Sequence, residues 1–344
     1  MVLSLKILIL VSCEPQVPCF FIFGDSLLDN GNNNDLNTQA KVNYPPYGID
    51  FPDGPTGRFT NGKNQADYLS EFLGFENYRP PFASASGSEI LQGVNYASGG
   101  SGIRSETGSN LGEVISLNQQ LDNHQTTISK IVSIQRNNES YTQEYLKKCI
   151  YIVGSGSNDY MNNYFIPDFF PESSKYTPEQ YADLLVQQYA KQITTLYNYG
   201  ARKIALYGLG PIGCTPEEIR TFPTNLSGCV DNINIAVALY NDRMKPLVDS
   251  LNANLSDAHV TFINVWNFAP VLGLLSFTCC KTSTTVSKGQ CVPNETPCLI
   301  RILRVFWDGF HPSETGHMLL AKTAYRAITP NDAYPIDIRH LAQL

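Results

Sequence analysis

No part of this chain is apolar for the roughly 18 residues that a bilayer-spanning helix requires. The apolar run at its start, Val2 to Val11, is broken by Ser4 and Lys6 and is far too short. That segment ends at Val11-Ser12-Cys13 and reads instead as a short secretory signal over residues 1–13, cleaved after Cys13. No solenoid-length repeat, charge block or linker-like stretch divides the remainder, so residues 14–344 are expected to form a single domain. Cys-x-x-Cys spacing is missing, which weakens any zinc reading. Gly-x-Ser-x-Gly is missing too, which disfavours a strand-to-helix nucleophile elbow. The net charge of −7 removes the electrostatic reason to expect nucleic acid or an anionic membrane as a partner.

What is present points to the secretory route. Of nine cysteines, Cys13 falls in the signal, and the remaining eight are an even number suited to an oxidising compartment. Cys214 with Cys229, and the cluster Cys279, Cys280, Cys291 and Cys298, read as loop staples. Glycosylation sequons occur at Asn138, Asn225, Asn254 and Asn294.

Short β-rich runs recur at Phe20–Phe23, Val94–Tyr96, Ile150–Val153, Lys203–Tyr207 and Val260–Val265. Helical patterns alternate with them at Asn64–Leu73, Leu117–Ile134, Thr177–Asn198, Ile233–Leu255 with a kink at Pro246, and Ser313–Ile328. The clearest is the third, where Thr177 is a natural N-cap, Pro178 suits the first helical position, and Gln180 completes a capping box. Alternation of this kind predicts an α/β fold: a mostly parallel sheet covered on both faces, in three α/β/α layers.

Three of the expected strands end in polar turns: Gly24-Asp25-Ser26, Ala97-Ser98-Gly99-Gly100, and Gly154-Ser155-Gly156-Ser157-Asn158-Asp159. Parallel pairing would put all three on one edge of the sheet, where open α/β sheets gather ligands. Near the end, Trp307-Asp308-Gly309-Phe310-His311-Pro312 places an acid three residues before a histidine. A serine hydroxyl is a weak nucleophile until a base takes its proton, and imidazole titrates near neutrality. Ser26 is therefore the candidate nucleophile, His311 the base, and Asp308 the acid that fixes the imidazole tautomer. The backbone N–H groups of Ser26 and Gly99 and the Asn158 amide are the candidate oxyanion donors.

Other features divide between chemistry and packing. Gly208-Leu209-Gly210-Pro211-Ile212-Gly213 matches a dinucleotide fingerprint only formally, since Pro211 interrupts it and Cys214-Thr215-Pro216 follows. Tyr160, Tyr164, Phe165, Phe169 and Phe170 either line a groove for an acyl chain or pack a long loop onto the body. His124 and His259 read as surface residues, and the six-residue spacing of His311 and His317 argues against a metal pair.

In combination, FFIFGDSLLDNGNNN, PPYGIDFPDGPTGRFTNG, GVNYASGGSGI, YIVGSGSNDYMNNYF, YGARKIALYGLGPIGC and VFWDGFHPSETGH resemble the plant GDSL esterases and lipases of the SGNH hydrolase superfamily. The likeness extends from about Val17 to Leu344. It implies a flavodoxin-like, five-stranded, mostly parallel sheet and a secreted enzyme with no metal or organic cofactor. It also implies hydrolysis of lipid or other acyl esters through an acyl-enzyme. By motif position the four name-giving residues fall on Ser26, Gly99, Asn158 and His311, with Asp308 as the acid. Apoplast, wall and vacuole are all compatible destinations, without stable membrane insertion. Two further readings stay open at this level: an acyltransferase building extracellular polyester, and a non-catalytic binding protein on an esterase scaffold.

Overall fold

The computed structural model describes residues 14–224, 228–266 and 277–344. The signal segment 1–13 and the sequon at Asn225 lie outside the described residues. Four strands run parallel and neighbour one another in chain order: β1 (Phe20–Gly24), β2 (Ile150–Gly154), β3 (Lys203–Tyr207) and β4 (His259–Ile263). A fifth, β5 (Ala333–Tyr334), pairs antiparallel with β4 and closes that edge.

The expected strand at Val94–Tyr96 is a correction. It lies along the open edge of β1 through Ile22 N–H to Val94 O and Tyr96 N–H to Ile22 O, yet forms only an isolated bridge there. Its other side is committed elsewhere: Asn95 exchanges backbone bonds with Pro80 and Phe82, and Asn32 Nδ2 donates to the carbonyls of Asn95 and Ala97. Irregular partners on that side prevent a regular ladder.

Period-two alternation assigns the strand side chains to two cores. Phe21, Phe23, Tyr151, Val153, Ile204 and Leu206 face one side. There they meet α2 (Leu117–Ile134), α4 (Pro178–Asn198), α5 (Asp231–Asn241) and α6 (Met244–Asn254). Phe20, Ile22, Ile150, Ile152 and Ala205 face the other, against α1 (Gln65–Phe72), α7 (Glu314–Tyr325) and α8 (Ile338–Gln343). A short helix, α3 (Glu139–Lys147), leads into β2. The result is the three-layer α/β sandwich that the alternation predicts.

Local chemistry sets the helix ends. Thr177 caps α4 with the expected box to Gln180, Asn64 caps α1 with a box to Asp67, and Ser313 caps α7. The expected long helix at Ile233–Leu255 is two helices. The break falls at Asp242–Arg243, and Pro246 sits in the first turn of α6, where its missing N–H costs nothing. His124 is fully buried, which corrects its reading as a surface residue. It shares the apolar stripe of α2 with Leu117, Gln120, Leu121, Thr127 and Ile131, its Nδ1 lies 3.1 Å from the Tyr96 hydroxyl, and burial pushes its pKa down to about 3. His259 is exposed.

The eight cysteines of the described residues form four disulfides: Cys19–Cys149, Cys214–Cys229, Cys279–Cys298 and Cys280–Cys291. The first ties the residue preceding β1 to the residue preceding β2. The last two belong to a third cluster with Val42, Tyr47, Phe59 and Trp307, which supports the loop carrying His311.

Candidate active site

The three polar turns do meet at one edge of the sheet. Gly24 ends β1 with φ +150°, and a Cβ there would lie 2.2 Å from the Gly154 carbonyl oxygen, so only glycine lets β1 and β2 end side by side. Its carbonyl accepts from Ser98 N–H, the Ser101 hydroxyl and Gln120 Nε2, which pins the second turn against the first. The asparagine-rich run after Ser26 acts as scaffolding. Asn30, Asn32, Asn33 and Asn34 donate side-chain bonds to the carbonyls of Arg79, Asn95, Ala97, Ala40, Gly99 and Thr56, which joins five loops.

Ser26 Oγ lies 2.8 Å from His311 Nε2. On the other side of the ring, Nδ1 is 2.8 Å from Asp308 Oδ2 and 2.9 Å from Oδ1. Asp308 is fully buried, and its Oδ1 also accepts the N–H groups of Phe310 and His311, both at 2.8 Å, in a tight turn that fixes the carboxylate under the imidazole. Tyr47 donates its hydroxyl to Oδ2 at 2.6 Å and accepts Cys291 N–H at 3.0 Å. The Phe59 ring lies against the imidazole, with centroids 4.9 Å apart. A serine hydroxyl, an imidazole and a carboxylate thus stand in one hydrogen-bonded line, an arrangement that suits transfer of a proton from serine to a base.

The candidate donors are differently engaged. Asn158 Nδ2 gives one hydrogen to Ser101 O at 3.0 Å, while Asn158 Oδ1 accepts from Asn162 Nδ2 at 2.7 Å, so the amide is oriented with a second hydrogen to spare. Gly99 N–H donates to Asp29 Oδ2 at 3.0 Å. The backbone N–H groups of Ser26 and Gly100 have no hydrogen-bond partner among the described residues.

Burial tunes the carboxylates around the site. It pushes Asp25 up to about 7, and Asp29 and Asp159 each up to about 6, against the pull of the backbone N–H groups they accept. Asp159 accepts from Ile103 N–H, Arg104 N–H and the Thr107 hydroxyl, and so holds the loop beyond Asn158. His317, one turn into α7, is buried and pushed down to about 3 by burial and by the charge of His311. No group of three or more His, Cys, Asp or Glu residues suited to a metal occurs among the described residues.

A cavity of about 110 Å³ adjoins the site. Its walls include Asp25 and Leu27, which flank Ser26; Phe310 and Pro312, which flank His311; and Ser157, which precedes Asn158. The residues resembling a dinucleotide fingerprint, Gly208 to Ile212, form another wall. The aromatic cluster after Asn158 takes no part. Tyr160 and Tyr164 pack on Tyr181 of α4, Phe169 is exposed, and none of the five lines the cavity. Tyr47 and Asp29 were not among the expected site residues; the only sequence signal for either is a polar group set in an apolar or turn-forming run.

A sheet edge carrying this serine, histidine and acid has the makings of a hydrolase. The family model for GDSL-like Lipase/Acylhydrolase matches residues 20–324. Among curated relatives, GDSL esterase/lipase At1g29660 of Arabidopsis thaliana is 50% identical over 97% of this chain and 94% of its own length. GDSL esterase/lipase At1g29670 of the same plant is 48% identical over 96% of this chain and 93% of its own. A crystal structure of phospholipase A1 from Streptomyces albidoflavus NA297 covers 89% of this chain and 99% of its own, at 12% identity and a TM-score of 0.41, too slight a likeness to carry weight. The chain belongs to the GDSL-like lipase/acylhydrolase family, and it is a carboxylic ester hydrolase.

Proposed function

We propose that the protein is a serine esterase of the secretory pathway that hydrolyses acyl esters through an acyl-enzyme on Ser26. The observation that carries this reading is the contact of Ser26 Oγ with His311 Nε2 at 2.8 Å, continued to Asp308 at 2.8 Å. As Ser26 Oγ bonds to the ester carbonyl carbon, its proton passes to His311 Nε2, and Asp308 stabilises the imidazolium. The carbonyl oxygen gains negative charge, which the Ser26 N–H, the spare Asn158 hydrogen and the Gly99–Gly100 turn are positioned to receive. Because Gly99 N–H is held by Asp29, its use at the oxyanion requires an exchange of partners, whereas Gly100 N–H carries no such commitment. Collapse expels the alcohol, which takes the proton from His311. Water then attacks the acyl-Ser26 carbonyl with His311 again as base, releasing the acid and restoring the serine.

Export to the apoplast or the vacuole is supported by the four disulfides and by the exposure of the sequon residues Asn138, Asn254 and Asn294. The test is hydrolysis of p-nitrophenyl esters of increasing chain length by the purified glycosylated protein, beside Ser26→Ala with its fold checked by circular dichroism. Turnover that disappears in a folded Ser26→Ala protein is the expected result; equal turnover in both would remove Ser26 as nucleophile.

A further inference from the structure

Single exposed aliphatic residues are ordinary on a protein surface, but a contiguous group of them marks a place of contact. Of the five residues Leu299-Ile300-Arg301-Ile302-Leu303, four are large and aliphatic, and all four are 61–90% exposed. Phe277, 69% exposed, belongs with them. It lies two residues before Cys279, whose disulfide partner Cys298 directly precedes Leu299, with the two Cα atoms 5.0 Å apart. Phe169, Val286 and Ile328 are comparably exposed but stand alone in the chain.

Three anchors keep these side chains turned outward. One end of the segment is fixed by the Cys279–Cys298 disulfide and by Cys298 N–H donating to Cys279 O at 2.8 Å. In the middle, Arg301 turns back to grip both carboxylate oxygens of Asp50, each at 2.7 Å. At the other end Ser313 N–H donates to Val305 O at 2.7 Å, and Trp307 N–H to His311 O at 2.8 Å. That last pairing also carries His311, so the apolar surface is built onto the loop of the proposed base.

The chemistry of the surface selects its occupant. Arg301 is the only charged residue among 299–303, and Asp50 neutralises it, so the turn presents carbon and no free charge. A stable protein interface takes roughly 20–30 residues a side and about one hydrogen bond per 100–200 Å². Five apolar side chains, whose one polar companion is already committed to Asp50, fall well short of both. Insertion of a few aliphatic and aromatic side chains into a lipid boundary requires neither. The net charge of −7 disfavours an anionic surface, which leaves an uncharged one.

We infer that Phe277 and the turn Leu299–Leu303 dock the protein on an uncharged lipid surface, and that the esters reached from it are insoluble in water. This deepens the serine-esterase reading and rests on it for the chemistry. Docking through the loop of His311 sets the site close to the boundary, so that an ester passes from lipid to Ser26 without first dissolving.

The test measures binding of the Ser26→Ala protein, which keeps the surface and on the proposed mechanism leaves lipid intact, to vesicles. Their composition is phosphatidylcholine alone, or phosphatidylcholine mixed equally with phosphatidylserine. Moving one aliphatic side chain between water and hydrocarbon changes a partition constant by about tenfold or more. Adding Leu299→Ser and Ile302→Ser should therefore weaken binding to phosphatidylcholine by at least about tenfold. Ile328→Ser, past the far end of α7, should leave it unchanged, and phosphatidylserine should not strengthen it. With Ser26 intact, Leu299→Ser/Ile302→Ser should slow hydrolysis of emulsified tributyrin but not of dissolved p-nitrophenyl acetate, which also shows that the variant is folded. Equal vesicle binding with and without the two serines, or no binding to phosphatidylcholine at all, would overturn the docking surface. Binding only to the phosphatidylserine mixture would overturn the uncharged lipid as its occupant. A dimer in sedimentation velocity that Leu299→Ser/Ile302→Ser dissociates would give the face to a second copy of the chain instead. Vesicle binding does not depend on the nucleophile, which fails separately if Ser26→Ala retains turnover.

Discussion

The Tyr47 hydroxyl donates to Asp308 Oδ2 across 2.6 Å, although 261 residues separate the two in the chain. Asp308 already accepts both N–H groups of its own turn and the Nδ1 side of His311. Tyr47 therefore adds a third independent constraint on the carboxylate that orients the proposed base. Tyr47→Phe keeps the ring beside Tyr44 and Trp307 but removes this donation. The expected outcome is a fall in kcat of about tenfold with KM little changed, the pattern of a misplaced acid–base group. A role confined to packing would lower Tm and leave kcat near the wild-type value.

The same contact extends to a disulfide. Cys291 N–H donates to the Tyr47 hydroxyl at 3.0 Å, and Cys291 is bonded to Cys280. Replacing both cysteines by serine removes a short loop closure and is expected to cost about 2–4 kcal/mol in thermal or denaturant unfolding. It should also lower kcat through Tyr47. If the two effects share a route, adding Tyr47→Phe to the cysteine variant costs less activity than it does in the wild type, a coupling that a double-mutant cycle measures directly.

Asp29 holds the Gly99 turn, which carries a proposed oxyanion donor. Its Oδ1 accepts Gly31 N–H at 2.7 Å and Asn32 N–H at 2.8 Å, and its Oδ2 accepts Gly99 N–H at 3.0 Å. Asp29→Asn can preserve the Oδ1 pair but sets an amide donor against Gly99 N–H. The turn must then shift, and the proposed transition-state contacts shift with it. A fall in kcat of about 10–100-fold with little change in KM is expected, alongside a stability loss of about 1–3 kcal/mol. A rise in KM at constant kcat would instead assign Asp29 to substrate binding.

Much of this arrangement is legible in the sequence because it is local. Phe20–Phe23 and Lys203–Tyr207 announce buried strands by continuous apolar content, and the Thr177 and Ser313 caps carry their side-chain chemistry in the adjacent residues. The serine, histidine and acid can be picked out because each follows an apolar run at an abrupt polar turn. What escapes depends on distant partners. Tyr47 reads as one more aromatic residue until the fold sets it under Asp308, and Asp29 as a turn former until Gly99 arrives. His124 looks polar in one dimension, but the stripe of α2 takes it into the core as a neutral ring. β5 is two residues long and has no pattern to detect. The wall at Gly208–Ile212 imitates a phosphate loop because a cavity lining and a phosphate cradle both need small residues.

Asp25 gives the fold a pH dependence whose sign is fixed by burial. Desolvation raises its carboxyl to about 7, while Leu27 N–H, which it accepts at 3.1 Å, and the charge of His311 pull the other way. The unfolded chain releases this proton near the ordinary value of 3.8, so between about pH 4 and 7 the folded protein binds the extra proton. The stabilisation is complete below the unfolded pKa and is lost as pH rises through the folded one. Buried His124 and His317, both pushed down to about 3, act in the opposite sense, since they favour the fold more as pH rises towards 6.5. The wild-type curve combines these opposed slopes, and a substitution is needed to separate them. Asp25→Asn keeps an oxygen for Leu27 N–H and removes the ionisation. Its stability relative to wild type should therefore improve from about pH 4 to about pH 7 and then level off, by at most about 4 kcal/mol for a shift of about three units. Thermal melts of both proteins at one-unit pH intervals would check this. A stability difference that stays constant across the range would mean that Asp25 titrates like an exposed carboxylate.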